Sequence, residues 1–98
     1  MVQPAKFRSI EFEWDEHNLD EIAGHQVGYE EAEECFFNRH QVYRNKKKAG
    51  RKYETFKLEG RTDAGRSLLV IFFVKEKTTV RSPEGPTALI RVITAWEV

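Results

Sequence analysis

The clearest local pattern in the chain is KYETFKLEGRTDAGRSLLVIFF, the segment Lys52–Phe73. Two runs typical of β-strands, Tyr53–Glu59 and Ser67–Phe73, flank the turn-rich residues Gly60–Arg66, and this pattern predicts a β-hairpin. The second run is continuously apolar from Leu68 onward, which is typical of a strand that is covered on both faces or nearly so. We therefore expect this strand to lie at the centre of the sheet.

The chain before the hairpin predicts one strand, two helices and a second, short strand. Apolar and polar residues alternate over Phe7–Trp14, which indicates a half-buried strand. Asp15 is a good helix N-cap, and apolar residues follow it at helical spacing until Gly24. A second helix is expected to begin near Tyr29, and a short strand is predicted at Arg39–Tyr43.

The chain after the hairpin predicts a loop and a last strand. The loop is predicted over Lys75–Thr87, where Ser82–Pro86 contains two prolines that exclude a central strand. The last strand is predicted at Ala88–Trp96, and strict alternation would place Thr94 and Trp96 on the same side as Val92.

This order of elements, β-α-α-β-β-β-β, predicts an α+β domain. Strands that are joined by hairpin-length turns favour an antiparallel sheet of about four to five strands, with the two short helices packed on one face. A chain of 98 residues with 40% hydrophobic and 33% charged residues is typical of one soluble domain. We expect this single domain to span residues 1–98, with residues 1–6 forming a loose N-terminal segment.

The setting of the protein is predicted from what the sequence lacks. No targeting segment is visible, and no apolar run is long enough to cross a membrane. The single cysteine, Cys35, cannot form an internal disulfide, which favours a reducing, cytoplasmic location. Cys35 also falls on the apolar face of the second predicted helix, where a cysteine is normally a small core residue.

The net charge of zero hides a strong asymmetry along the chain. Residues 1–38 hold two basic and ten acidic residues, whereas residues 39–98 hold fourteen basic and six acidic ones. Eight of the basic residues lie between Arg39 and Lys57, with Glu54 as the only acid there. Such a run is either solvated surface or a phosphate-binding strip for a nucleic acid.

Metal and cofactor sites are not predicted. The three histidines and Cys35 lack the paired spacing of a zinc site, and no glycine-rich phosphate loop opens a helix. His25 lies between the two predicted helices, where it is either a general acid or base near neutral pH or a surface residue at a helix end. Arg91 interrupts an apolar strand, so it must find a ligand or, alternatively, an ion pair with an N-terminal acid.

The order of several short motifs resembles the BrnT family of bacterial toxins. The match covers roughly residues 10–96. Its first half comprises Phe12-Glu13-Trp14-Asp15-Glu16, Asn18, His25, Tyr29-Glu30-Glu31-Ala32 and Phe36-Phe37. Its second half comprises Arg51-Lys52-Tyr53, the turn Gly60–Arg66, the apolar strand and Arg91-Val92-Ile93-Thr94-Ala95.

This resemblance implies a RelE-like ribonuclease toxin of a type II toxin-antitoxin system. Such an enzyme is an endonuclease that cleaves RNA without a metal, by attack of a 2′-hydroxyl on the adjacent phosphate. It is neutralised by a BrnA-like ribbon-helix-helix antitoxin that also binds operator DNA. The resemblance thus implies an RNA substrate and an antitoxin partner, with a homodimer or a toxin-antitoxin hetero-oligomer as the assembly and no role for a membrane.

The resemblance also implies functional residues. His25 matches the histidine of a lysine-histidine-glycine element whose other two positions are Gly24 and Gln26 here, and Trp96 stands where many relatives carry a second arginine. The catalytic prediction comprises His25, Arg61 and Arg91. The RNA- or phosphate-binding prediction comprises Lys46, Lys47, Lys48, Arg51 and Lys52. Arg66 is interpreted as a turn residue.

Two other functions compete with the ribonuclease. The first is an RNA- or partner-binding module that has the same fold and has lost the chemistry, which Gly24 and Trp96 favour. The second is a structural subunit whose acidic and basic halves pair between copies.

Overall fold

The computed structural model describes residues 9–45, 53–77 and 87–98. In chain order the elements are β1 (Ser9–Glu13), α1 (Glu16–Ala23), α2 (Tyr29–Phe37), β2 (His40–Arg44), β3 (Thr55–Arg61), β4 (Ser67–Lys77) and β5 (Thr87–Glu97). The predicted α+β class with two short helices is confirmed. The prediction of a loop over Lys75–Thr87 is wrong at both ends, because β4 continues to Lys77 and β5 begins at Thr87. The rest of that predicted loop and the predicted loose segment 1–6 lie outside the described residues.

The five strands form one mixed sheet in the order β1-β5-β4-β3-β2. Strands β2 to β5 pair antiparallel, but β1 pairs parallel with β5, and Glu13 lies opposite Arg91. The prediction of an antiparallel sheet is therefore wrong for β1. Short turns set the direction of consecutive strands only, whereas β1 meets β5 from the other end of the chain.

The β3–β4 hairpin closes with a tighter turn than the sequence predicts. Strand β3 continues to Arg61, and the turn is fixed by hydrogen bonds from the Thr62 N–H to the Arg66 carbonyl (2.9 Å) and from the Gly65 N–H to the Thr62 carbonyl (2.9 Å). Gly65 has φ +89°, a conformation that glycine adopts without strain. Gly60 lies within β3 instead, where the lack of a side chain allows close packing: a Cβ there would lie 2.9 Å from the Cys35 carbonyl oxygen of α2.

Side chains of both helices join one hydrophobic core against the sheet. Ile22 of α1 is 1% exposed, and Cys35 of α2 is fully buried. The ring of Phe36 packs edge-on against Phe72 of β4 at 4.9 Å between centroids, which supports the prediction that β4 is a central strand. The core therefore fixes α2 on β3 and β4. Among the described residues no helix is long and apolar enough to span a membrane.

A register shift in β5 changes which side chains reach the core. Ile71 pairs with Thr94 but Phe72 pairs with Val92, so the strand bulges between these two partners. The row of fully buried residues therefore continues from Val92 to Ala95 rather than to Thr94. The strict alternation that the sequence predicts fails at this point, and Thr94 instead contacts α1 through a 3.0 Å hydrogen bond to Glu21.

Helix α1 is anchored at its first turn. Asp15 caps the helix by accepting hydrogen bonds from the N–H groups of His17 and Asn18, as its N-cap prediction requires. Asn18 is 3% exposed, and its side-chain amide donates to the carbonyls of Glu13 (2.9 Å) and Val92 (3.1 Å). One buried side chain thus ties α1 to both β1 and β5.

A candidate phosphate-binding cleft

A cleft of about 540 Å³ opens at the end of the sheet where β2 begins and the β3–β4 hairpin turns. It is lined by Arg39, His40, Gln41, Glu59, Gly60, Arg61, Ser67, Leu68 and Val98. An adjoining depression shares Arg39 and Arg61 and reaches Asn38 and the turn Thr62–Gly65. Two arginines and a histidine therefore line one concave surface.

The backbone of this cleft is held by Asn38, the C-cap residue of α2. Its side-chain amide donates to the Arg61 carbonyl (3.0 Å) and to the Asp63 carboxylate (2.8 Å). The Glu34 carboxylate accepts a further hydrogen bond from the Asp63 N–H (2.9 Å). These contacts fix the start of β2 beside the end of β3 without using either guanidinium group.

The two arginines of the cleft are not paired with any carboxylate of the described residues. Arg39 and Arg61 are both exposed, and neither guanidinium has an ion-pair partner within residues 9–45, 53–77 and 87–98. Glu59 is the carboxylate that lines the same cleft. An open surface with two guanidinium groups and one carboxylate favours an anion, and the planar guanidinium matches the geometry of a phosphate.

His40 has a defined tautomer in this cleft. Its Nδ1 lies 2.7 Å from the Asn38 carbonyl oxygen, which can only accept, so Nδ1 carries the hydrogen. The Nε2 of the neutral ring is then a proton acceptor, and it has no hydrogen-bond partner in the described part of the chain. Because the ring is exposed, Nε2 is accessible to a substrate.

His25 lies elsewhere, in the turn that follows α1. Its Nε2 is 3.3 Å from the Glu21 carboxylate, and its ring lies 6.2 Å from that of Trp96. This arrangement matches the alternative interpretation of His25 as a surface residue at a helix end. Trp96, at the position where the resemblance implies a second arginine, therefore packs near the histidine instead of supplying a charge.

Arg91 is held by two carboxylates. Its side chain is 20% exposed, and Nη1 lies 3.1 Å from Glu13 and 3.0 Å from Asp15. The hydrogen bond from Arg91 lowers the pKa of Asp15, with help from the Asn18 N–H. Lys75, 3.0 Å from Glu13, contributes most to lowering the pKa of that carboxyl, and Arg91 adds to it. Of the two alternatives that the sequence allowed for Arg91, a ligand or an ion pair with an N-terminal acid, the structure therefore has the ion pair.

The three predicted catalytic residues are not brought together. Arg61 lines the cleft, whereas Arg91 lies at the first turn of α1 and His25 follows its last turn. His25 lies next to Trp96, which is five positions beyond Arg91 on β5, and that length of strand spans roughly 16 Å. The predicted RNA-binding residues Lys46, Lys47, Lys48, Arg51 and Lys52 lie outside the described residues.

Two other predicted roles have clear structural counterparts. Cys35 is fully buried, and burial, together with the nearby Glu34 and Glu31, raises the pKa of its thiol to about 11. The prediction that Cys35 is a core residue is confirmed. Arg66 ties the hairpin to its surroundings, because it donates to the Gln26 carbonyl (2.8 Å) and forms ion pairs with Glu31 and Glu97.

Sequence reasoning missed Arg39 and His40 as members of a site. The sequence presents Arg39 only as part of the basic run, and His40 only as one of three histidines without the spacing of a metal site. An arginine and a histidine in succession directly after a helix are a signal that points to this position. The register that places His40 opposite Gly60, next to Arg61, is set by tertiary structure. Within the described ranges no group of three or more His, Cys, Asp or Glu residues is placed to hold a metal.

No protein-family model matches the chain, and no curated protein matches it. The resemblance to BrnT toxins therefore rests on the short motifs alone.

Proposed function

We propose that this protein is an RNA-cleaving enzyme of the kind that the BrnT resemblance implies, and that it acts at the cleft of Arg39, His40 and Arg61. The observation that carries the proposal is the accessible Nε2 of His40 in the same cleft as two guanidinium groups without an ion-pair partner in the described residues. Proton transfer and phosphate binding are the two tasks of metal-independent RNA cleavage.

Each residue of the cleft has a role in this chemistry. Nε2 of neutral His40 accepts the proton of the RNA 2′-hydroxyl, whose oxygen attacks the adjacent phosphorus. Arg39 and Arg61 stabilise the negative charge of the phosphorane. The bond from phosphorus to the 5′-oxygen breaks, the leaving oxygen takes a proton from water, and the products are a 2′,3′-cyclic phosphate and a 5′-hydroxyl. The Asn38 carbonyl stabilises the imidazolium through the Nδ1 hydrogen bond.

A pair of histidine variants tests the location of the chemistry. His40→Ala should slow the cleavage of a fluorescein-labelled single-stranded RNA by about 10²-fold or more, because the general base is lost. His25→Ala is the matched control and should leave the rate unchanged, since His25 contacts Glu21 outside the cleft. Loss of cleavage in His25→Ala, with normal cleavage in His40→Ala, would contradict the proposed cleft and show that His25 is the catalytic histidine, as the resemblance implies.

The toxin role is tested in cells. Induced expression of the wild-type chain should arrest bacterial growth, and expression of His40→Ala should not. As in the family that the chain resembles, a ribbon-helix-helix antitoxin would relieve the arrest, so co-expression of such a partner from an adjacent reading frame is the companion measurement. Harmless expression of the wild-type chain, with intact cellular RNA, contradicts the toxin proposal.

The second candidate is an RNA-binding module without catalysis. Two observations favour it. Trp96 stands where the resemblance implies an arginine and lies near His25 instead. Arg91, the other arginine that the resemblance implies, is paired with Glu13 and Asp15. RNA binding that weakens steeply with salt, without any cleavage by the wild-type chain, would select this function over the first.

A further inference from the structure

Strand β1 is an edge strand of the sheet that the described residues form. It is the end strand of the order β1-β5-β4-β3-β2, and within the described residues no strand pairs with its outer side. Half of the backbone N–H and C=O groups of such a strand point away from the sheet, which makes the edge a template for another extended chain.

A groove runs along this edge. Its apolar lining comes from Ile10 and Phe12 of β1 and Leu89 of β5. Next to it, Phe37 of α2 is 67% exposed, and its ring lies 6.1 Å from that of Phe12. A residue as large as phenylalanine at this exposure extends the apolar surface beyond the groove.

The charge of the groove is negative. Glu11, Glu13 and Glu33 line it, and residues 9–38 as a whole hold ten acidic residues and no lysine or arginine. Glu13 is neutralised by Lys75 and Arg91. Glu11 and Glu33 have no cationic partner in the described parts of the chain, and Glu33 accepts a hydrogen bond from the neutral indole of Trp14 (2.8 Å).

We propose that this groove binds an extended segment of another polypeptide in which lysine or arginine alternates with apolar residues. The segment adds a sixth strand beside β1, so its backbone pairs with the free edge. Alternate side chains of a strand point to opposite faces, so its apolar side chains reach Ile10 and Phe12 while its cations meet Glu11. Charge complementarity selects the partner, and the inference does not depend on the ribonuclease proposal.

A second copy of the chain fits this edge less well. The basic counterpart in the described residues is the other edge strand, β2, where Arg44 already forms an ion pair with Glu54 at 2.6 Å. Pairing of β1 of one copy with β2 of the next is also a head-to-tail contact, which produces a ring or an open filament rather than a two-fold dimer. A segment of a different chain has neither difficulty.

Peptide binding to the full chain tests the proposal. The probe is a fluorescein-labelled peptide of four Lys-Val repeats, measured by fluorescence anisotropy, with four Glu-Val repeats as its charge control. The Lys-Val peptide should bind, the Glu-Val peptide should not, and the double variant Glu11→Lys/Glu33→Lys should weaken binding at least tenfold. The double variant Asp20→Lys/Glu30→Lys makes the same change in net charge on exposed helix surface and should change binding less than twofold.

Two further measurements separate strand pairing from simple charge attraction. A Lys-Val peptide that is N-methylated at every residue keeps its charge but loses the backbone donors of both strand edges, and it should bind at least tenfold more weakly. Amide hydrogen exchange should slow at residues 9–13 when the unmodified peptide binds. Equal binding of the methylated peptide, protection at β2 instead of β1, or absence of binding would each overturn the proposal. So would self-association that the Glu11→Lys/Glu33→Lys variant abolishes, since the occupant would then be a second copy.

Discussion

Two pairs of arginines in this molecule have opposite surroundings. Arg66 and Arg91 each contact two carboxylates, and their side chains are 22% and 20% exposed. Arg39 and Arg61 are exposed at the cleft and form no ion pair with any residue that the structure describes. The first pair links elements of the fold, whereas the second pair lines a surface.

This difference separates structural from ligand-binding cations. A phosphate that takes the place of Glu13 or Asp15 at Arg91 breaks an existing ion pair, and the loss of that ion pair costs free energy. At Arg39 and Arg61 no such contact has to break among the described residues. The partners of an arginine, more than its position in the sequence, therefore indicate what it does.

Acidification should have the largest effect on the paired region. The pKa values of Glu13, Asp15 and Glu31 are all lowered in the folded protein, from ordinary values of 4.5, 3.8 and 4.5. A lowered folded-state pKa contributes stability above the ordinary value, and this stability is lost as the pH falls below it. Urea denaturation at a series of pH values should therefore show a free energy of unfolding that falls steadily below about pH 4.5.

The Arg91→Met variant is the control for this pH dependence. The Arg91 hydrogen bond is the main cause of the lowered pKa of Asp15, whereas Lys75 is the main cause for Glu13 and the Gly28 N–H for Glu31. The variant should therefore lose most of the contribution of Asp15, because the hydrogen bond from the Asn18 N–H remains, and keep most of the contributions of Glu13 and Glu31. An unchanged pH profile in Arg91→Met would show that the ion pair is absent in solution.

The Arg91→Met substitution should also lower stability at neutral pH. Methionine keeps much of the apolar contact but leaves Asp15 without its ion pair and Glu13 with Lys75 alone. Because the arginine is only partly buried, we expect a loss of about 1–2 kcal/mol in the free energy of unfolding, measured by urea denaturation. Arg61→Met is the matched control and should change the free energy by less than about 0.5 kcal/mol. Equal losses in both variants would remove the distinction between the two pairs of arginines.

The elements of the fold were more predictable than their pairing. The helix cap at Asp15 and the apolar run of β4 are local patterns, and such patterns are set by neighbours in sequence. The parallel pairing of β1 with β5 joins opposite ends of the chain, and the bulge in β5 reflects how that strand fits β4. Neither feature leaves a local signal, so neither could be predicted.

The site was less predictable for the same reason. Arg91 was correctly singled out as a charge that needs a partner, but the sequence alone could not decide between an acid and a ligand. The pairing with Glu13 follows from the parallel register of β1 and β5, which the sequence did not show. Gly60 was interpreted as a turn residue because glycine is common in turns, although here it allows α2 to approach β3.

The salt dependence of RNA binding should show the smallest effect, but it distinguishes the two pairs of arginines most clearly. For single-stranded nucleic acid, the logarithm of the binding constant falls with the logarithm of the salt concentration by roughly 0.7 for each phosphate contact. Removing one cation that contacts a phosphate therefore reduces this slope by about 0.7. Arg61→Met should show this change when RNA binding is measured by fluorescence anisotropy at several salt concentrations, in the His40→Ala background so that the RNA stays intact.

Arg91→Met in the same His40→Ala background is the control for the change in slope expected of Arg61→Met. Its guanidinium is already neutralised by Glu13 and Asp15, so it releases no counterion from the RNA and its loss should leave the slope unchanged. A lower slope in Arg91→Met and an unchanged one in Arg61→Met would mean that the RNA lies along α1 and displaces the two carboxylates. In that case Glu13 and Asp15 would occupy the phosphate-binding position of Arg91 when no RNA is bound, and the cleft at the hairpin would not hold the phosphate.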